Sequence, residues 1–197
     1  RVAWRLVIEA AKRQVIVFTH DIYFVSLLVH EAEGTGVALL TQSLTRRPEG
    51  FGVVDSNLPF EGMTTKARVN YLRNEQVRVK KIYDSGDDPE HRKQTAAMYQ
   101  LLRTAWERAV EEVLFGEVVV RFRKGVETSR LAGVVVDDAD VARLDQAISR
   151  CSNYCHDQAL LGGVEMPDPA ELLADINYLD EWRKSTQERS GKVRKLR

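Results

Sequence analysis

The sequence predicts two structural classes in one chain of 197 residues: the remnant of an α/β sheet, followed by an all-α helical bundle. The first 35 residues place a helical pattern, a short apolar run and a second helical pattern in succession, which is typical of an α/β unit. Residues 46–62 are rich in proline and glycine, so they are predicted to form a linker. Apolar residues at helical spacing then fill long stretches of residues 63–197, which favours a bundle of helices.

The α/β remnant, residues 1–45, is predicted to be the end of an open parallel sheet. Residues 15–18, VIVF, form a continuous apolar run that is typical of a strand buried on both faces. Asp21 is predicted to cap the helix that follows. A second strand is predicted at residues 37–45, where the weaker alternation of apolar and polar residues suits an edge position.

The helical module, residues 63–197, carries its strongest signal at residues 88–115. There Asp88 is predicted as the N-cap, and a proline follows in the first turn. The other helices are predicted at residues 63–83, 137–155 and about 169–189. Residues 117–123, EVVVRFR, fit either a strand or a continuation of the preceding helix.

The charge balance and the cysteine count exclude several classes of protein. Lysine and arginine together number 29, as do aspartate and glutamate, so a uniformly basic nucleic-acid coat is excluded. No apolar run reaches the roughly 20 residues of a membrane span, so no membrane partner is expected. With two cysteines only, Cys151 and Cys155, we expect a reducing, cytoplasmic location. The chain begins with Arg1 inside a helical pattern, and we expect it to be the C-terminal part of a longer protein.

A polar triplet, Thr19, His20 and Asp21, follows the predicted strand directly. Ligands of open α/β sheets bind at the carboxyl ends of the strands. A neutral imidazole at that place can donate a hydrogen bond to a phosphate oxygen or hold an attacking water. The alternative is that His20 only caps the helix that follows.

The segment RLVIEAAKRQVIVFTHD, residues 5–21, resembles the last α/β unit of ABC-type ATPase heads, including SMC-like ATPases and ABC-type defence ATPases. The resemblance covers about residues 1–45 and implies that His20 is the switch histidine, which contacts the γ-phosphate of ATP across a dimer interface. The sequence contains no P-loop pattern G-x-x-x-x-G-K-[ST], which cradles the phosphates. We therefore expect ATP to bind only together with the remainder of the ATPase chain, and we expect no ATPase activity from these residues alone.

Charged residues of the helical module form a second candidate site. Arg103 and Glu107 are four residues apart, so they share one helix face. His156 follows Arg150 with five residues between them, at the end of another predicted helix. On spacing alone, an exposed ion pair is the ordinary interpretation of Arg103 and Glu107, and a helix C-cap is that of His156.

Cys151, Cys155 and His156 also resemble part of a zinc site. The spacing C-x3-C with an adjacent histidine is not a standard one, and the sequence offers no evident fourth ligand. We therefore expect no metal here and interpret the cysteines as small buried hydrophobic residues.

Two resemblances connect these residues with RNA cleavage. The pattern R-x3-E followed much later by histidine, here Arg103, Glu107 and His156, is similar to that of the ABC-ATPase-linked anticodon nucleases of the RloC and PrrC type. Arg150 and His156 resemble the R-x(4–6)-H motif of HEPN domains, helical bundles that often act as metal-independent ribonucleases. These resemblances imply a HEPN-like fold, a homodimer, tRNA as the substrate and a role in defence against phage.

Metal-free cleavage of RNA needs a base for the 2′-OH proton and a cation for the phosphate oxygens. His156 suits the acid–base role, and either Arg150 or Arg103 suits the phosphate. Glu107 would orient the arginine or the histidine. The alternative hypothesis is a non-catalytic helical domain that docks a partner or DNA beside an ATPase head. A third is that the ATPase does the work and these residues only complete its fold.

Overall fold

The computed structural model describes residues 2–47, 50–55, 58–121, 125–155 and 164–197. These residues are mostly helical and include a two-stranded antiparallel sheet, so the prediction of a mainly helical protein is confirmed at this coarse level. The chain divides into two compact units, Arg1–Met63 and Thr64–Arg197, which are described separately. No helix among the described residues is long and apolar enough to cross a membrane.

The first unit begins with two helices, Val2–Ala10 (α1) and Ile22–Thr35 (α2), which pack against each other. Asp21 caps α2 as predicted, because its side chain accepts hydrogen bonds from the backbone N–H groups of the two residues after Ile22. Gly36 ends α2 with φ of 70°, a left-handed conformation that glycine adopts without the steric cost of a Cβ.

The predicted strand at residues 15–18 is wrong. The segment has no regular secondary structure and pairs with no strand of the described residues. Its side chains are largely exposed, 68% for Ile16 and 86% for Phe18, which is the opposite of the predicted burial on both faces. A parallel strand needs hydrogen-bonded neighbours and helices over its faces. The described part of the first unit supplies no neighbouring strand, so the predicted parallel sheet is absent from it.

The sheet of the first unit is instead a hairpin. Ser43–Arg47 (β1) and Gly50–Asp55 (β2) pair in antiparallel register, with Ser43 opposite Asp55. The predicted strand at residues 37–45 therefore overlaps only the start of β1, and the predicted linker contains β2. An antiparallel pair forms across a short connection, whereas a parallel pair needs a long crossover. A 3₁₀ turn, Phe60–Gly62, follows the hairpin.

The described residues of the second unit form long helices and short helical turns. These elements are Thr65–Asp84 (α3), Asp88–Ala109 (α4), a π-helical turn at Val110–Leu114, a 3₁₀ turn at Thr128–Gly133, Asp138–Cys155 (α5) and Pro169–Leu196 (α6). Helix α4 packs against both α3 and α5, and α3 packs against α6. The core between them contains the largest fully buried side chains, among them Trp106, Trp182, Tyr99, Leu72, Leu102 and Leu172.

The helix starts of the second unit agree with the predicted signals to within two residues, whereas α4 ends about six residues before its predicted end and α6 runs about seven residues beyond its own. The N-cap of α4 is Asp87 rather than Asp88, one residue earlier than predicted. Asp168 and Glu171 form a reciprocal capping box at the start of α6, each side chain accepting from the other's backbone N–H. Of residues 117–123, those up to 121 are described, and they form neither a strand nor a helix.

A buried histidine lies near the start of α4. His91 is 6% exposed, and its Nε2 is 3.2 Å from Oγ1 of Thr95. Its ring packs edge-on against Tyr83, with 4.9 Å between the ring centroids. These two contacts of the imidazole, a hydroxyl group and an aromatic ring, are both uncharged.

The burial of His91 makes stability depend on pH. Desolvation lowers the pKa of His91 below 6.5, helped by Arg92, although the charges of Asp88 and Asp168 act in the opposite direction. The unfolded chain therefore binds the proton more readily, and stability should decrease as the pH falls below about 6.5. Urea unfolding at about pH 7.5 and about pH 5.5 measures this change, and His91→Gln should make it smaller. An equal pH dependence in both proteins would contradict the assignment.

Candidate functional site

A cleft lies in the second unit where α4, α5 and α6 approach one another. Its volume is about 280 Å³. Aromatic and apolar side chains form much of the wall, including Trp106 and Tyr178, and Arg150 and Asp175 add charge. The cleft thus combines an apolar interior with a few polar groups, which is the usual composition of a ligand site.

Asp175 holds the polar side of the cleft together. Its Oδ2 accepts a hydrogen bond of 2.5 Å from the hydroxyl of Tyr99 and one of 2.6 Å from Nε of Arg150. Nη2 of Arg150 also lies 3.6 Å from a carboxylate oxygen of Glu171. The guanidinium is 5.6 Å from the ring centroid of Tyr154. These contacts fix the orientation of Arg150 at the cleft.

The protonation states of these groups follow from burial and hydrogen bonding. Burial raises the pKa of Tyr99, and its bond to Asp175 raises it further, so Tyr99 stays a donor. Burial alone would lower the pKa of Arg150, but the hydrogen bond to Asp175 and the charges of Asp175, Tyr99 and Tyr154 together outweigh it, so the net shift is upward. Burial raises the pKa of Cys151 to about 12, so this side chain is a thiol at neutral pH and is unsuited to be a nucleophile.

Arg103 and Glu107 form the ion pair that their spacing predicts. Nε of Arg103 is 3.6 Å from Oε1 of Glu107, and Nη1 of Arg103 is 3.3 Å from Oγ of Ser152 on α5. Arg121 contacts the other oxygen of Glu107 at 3.4 Å. The side chains of Arg103 and Glu107 are each about one-third exposed, so the pair is worth only a fraction of a kcal/mol.

The sequence offers both Arg103 and Arg150 as the residue that binds the phosphate, and the structure places these two arginines differently. Both are close enough to Cys151 for their charges to lower its pKa against the effect of burial. Ser152, which Arg103 contacts, is two residues after Arg150 and therefore about 200° around the helix from it. The two arginines thus serve different faces of α5, and of the two Arg150 lines the cleft.

Neither of the two predicted histidines, His20 and His156, is among the described residues that line the cleft. His156 lies outside the described residues and directly follows Cys155, the last residue of α5. His20 is exposed in the first unit, immediately before Asp21. Asp21 is the N-cap of α2, so the alternative in which His20 caps this helix is wrong. The phosphate-contacting role of His20 and the catalytic role of His156 stay predictions.

The cysteines are free thiols. Cys151 is buried with 2% exposure, as predicted for a small hydrophobic residue, whereas Cys155 is only partly buried. Among the residues that the structure describes, no group of three or more histidine, cysteine, aspartate and glutamate side chains is arranged to hold a metal ion.

The sequence-based prediction missed Asp175 and Tyr99, which hold Arg150 in place. One signal could have identified Asp175. It lies three residues after Leu172 and four before Leu179, so it falls within the apolar stripe of a helix. A carboxylate in such a stripe requires a partner. Tyr99 shows no comparable signal, because aromatic residues are common in helix cores.

No family model matches the chain, and no curated protein or solved structure matches it either. The interpretations above therefore depend on the residues of this chain alone.

Proposed function

We propose that the second unit is a HEPN-like, metal-independent ribonuclease module that acts on tRNA, in a cytoplasmic protein of the ABC-linked anticodon-nuclease type. One observation carries the proposal. Arg150 lines a cleft of about 280 Å³ on the helix whose last residue, Cys155, directly precedes His156. A cation that suits a phosphate and a histidine that suits proton transfer are therefore neighbours along the chain.

In the proposed reaction, His156 and Arg150 have different roles. The 2′-OH of a ribose attacks the adjacent phosphorus, the P–O5′ bond breaks, and the products are a 2′,3′-cyclic phosphate and a 5′-OH. His156 takes the proton of the 2′-OH, the leaving 5′ oxygen takes a proton from solvent water, and the guanidinium of Arg150 stabilises the charge on the non-bridging oxygens. Nε of Arg150 donates a hydrogen bond to Asp175, whereas Nη1 of Arg150 has no hydrogen-bond partner among the described residues. That nitrogen is free to bind a phosphate oxygen.

His156→Ala should reduce tRNA cleavage about 10²- to 10⁴-fold, because the reaction then lacks its general base. The assay incubates the purified protein with total tRNA and detects 2′,3′-cyclic phosphate ends. A DNA oligonucleotide is the substrate control, since it has no 2′-OH. Asp145→Asn on the exposed side of α5 is the matched variant and should cleave normally. Equal cleavage by the parent protein and His156→Ala would remove His156 from the mechanism.

The same assay separates the two arginines. Arg150→Ala should lose more activity than Arg103→Ala, because Arg150 lines the cleft and Arg103 contacts Ser152 on another face of α5. The opposite order would assign the phosphate to Arg103, with Glu107 as its orienting partner.

A second candidate function is a non-catalytic helical domain that docks a partner or DNA. The ion pairs favour it, since Arg150 is bound to Asp175 at 2.6 Å and Arg103 lies 3.6 Å from Glu107. A paired guanidinium is less available to a phosphate than a free one. A folded protein that cleaves no tRNA, with or without ATP, would support this function.

For the first unit we propose a place at the end of an ABC-type ATPase head, with His20 as the residue that contacts the γ-phosphate. The exposure of His20 beside the capped start of α2 supports this role. ATP binding by the complete head would then drive dimerisation and gate the ribonuclease module. The other possibility is that the ATPase carries the function and the first unit completes its fold.

A further inference from the structure

We propose that the cleft between α4, α5 and α6 binds one nucleobase of the RNA strand and prefers a base whose exocyclic amine stands beside an unprotonated ring nitrogen, cytosine or adenine, over uracil. The identity of the strand as RNA rests on the proposed function, whereas the preference among bases rests on the cleft alone.

The size and wall of the cleft suit a single base. Its volume of about 280 Å³ is just below the range of about 300–1,000 Å³ for small-molecule sites, which suits a small group such as a single base. The rings of Trp106 and Tyr178, with centroids 6.0 Å apart, are part of the wall. Ala147 and Ala174 add small apolar surfaces from α5 and α6. Planar bases are commonly held between apolar and aromatic side chains of this kind.

The polar groups of the cleft present an acceptor at a fixed place. Tyr99 and Arg150 both donate to Oδ2 of Asp175, so the carboxylate cannot rotate freely. Its Oδ1 has no donor among the described residues. An exocyclic amine supplies that donor, as in cytosine and adenine. Uracil presents a carbonyl oxygen where cytosine presents its amine, and two acceptors repel each other.

The positions of Gln146 and Arg150 connect the base site with the phosphate site. Both residues line the cleft, and they are four residues apart on α5, so they are neighbours about 6 Å apart on one face. The amide of Gln146 can hydrogen-bond the ring nitrogen beside the exocyclic amine. Arg150 then lies one helical turn away, near the phosphate of the same nucleotide.

The test is a titration of the purified protein with cytidine, adenosine and uridine 5′-monophosphates, followed by tryptophan fluorescence, since Trp106 lines the cleft. Cytidine and adenosine monophosphates should bind about tenfold more tightly than uridine monophosphate. Ala147→Phe fills the cleft and should abolish binding of all three. Asp175→Asn keeps the shape of the side chain and should bring the ratio close to one. Asp145→Asn, on the exposed side of α5, should change neither property.

The outcomes separate this inference from the proposed function. Equal affinities for the cytidine and uridine nucleotides, or unchanged binding by a folded Ala147→Phe protein, would overturn the base preference even where tRNA cleavage depends on His156. Should Ala147→Phe fail to fold, Asp175→Asn decides the question, and an unchanged ratio in that variant would equally overturn it. Selective binding that both variants remove, in a protein that cleaves no tRNA, would support the base site and reject the ribonuclease.

Discussion

Replacing Trp182 by alanine should lower the free energy of unfolding by about 3–5 kcal/mol. Trp182 is 1% exposed and packs against Trp106, with 5.3 Å between the ring centroids. Its Nε1 donates a 3.0 Å hydrogen bond to Oδ1 of the buried Asp140. Alanine therefore leaves a large cavity in the core and removes one donor from a buried carboxylate. Urea unfolding monitored by circular dichroism measures the difference.

Trp182→Phe is the matched control. Phenylalanine keeps an aromatic ring in the core but has no N–H for Asp140, so we expect a smaller loss of about 1–3 kcal/mol. Asp140 also accepts from Arg189, which limits the cost of losing the indole. A loss below about 1 kcal/mol for Trp182→Ala would show that this core is packed differently.

Asp180 should make the second unit sensitive to acid. Its buried carboxylate accepts from Arg183 at 2.6 Å, Lys184 at 2.9 Å and Arg73 at 3.1 Å. Burial alone would raise the pKa of Asp180, but these cations outweigh it and hold the pKa below the ordinary value of 3.8. The unfolded chain therefore binds the proton more readily. The stabilisation is fully present above about pH 4 and is lost as the pH falls further.

Two variants test this assignment. Asp180→Ala leaves the buried guanidinium of Arg183 without its carboxylate and should cost about 3–5 kcal/mol at neutral pH. Glu181→Gln, at the exposed neighbouring position, should leave stability nearly unchanged. Urea unfolding between about pH 7 and about pH 3 should show a weaker acid dependence for Asp180→Ala than for the parent protein. An identical pH profile would contradict the role of Asp180.

The helices of this protein are encoded locally, which is why their positions could be predicted. The cap of α2 at Asp21 depends on contacts within three residues, and Gly36 ends the helix through its own backbone conformation. The start of α6 at Pro169 depends on Asp168 and Glu171, which are three residues apart. Such signals survive any change in tertiary packing.

The strand at residues 15–18 shows where local patterns are insufficient. An apolar, β-branched run satisfies the requirements of a buried strand, but a strand exists only where other strands complete its hydrogen bonds. In the described part of the first unit, β1 pairs with β2 and residues 16–18 stay exposed. A run of four apolar residues does not specify which segment becomes its partner.

The same distinction between local sequence and tertiary packing applies to the candidate site. The sequence alone determined the helices that carry Arg103, Glu107 and Arg150, and it determined the contact between the first two, because residues four apart on a helix must be neighbours. Only the tertiary structure decided that Arg150 lines the cleft and that Asp175 holds it there. That contact joins residues 25 positions apart, on different helices. It depends on how α5 packs beside α6, and helical periodicity determines the face that a helix buries but not the neighbour against which it is buried.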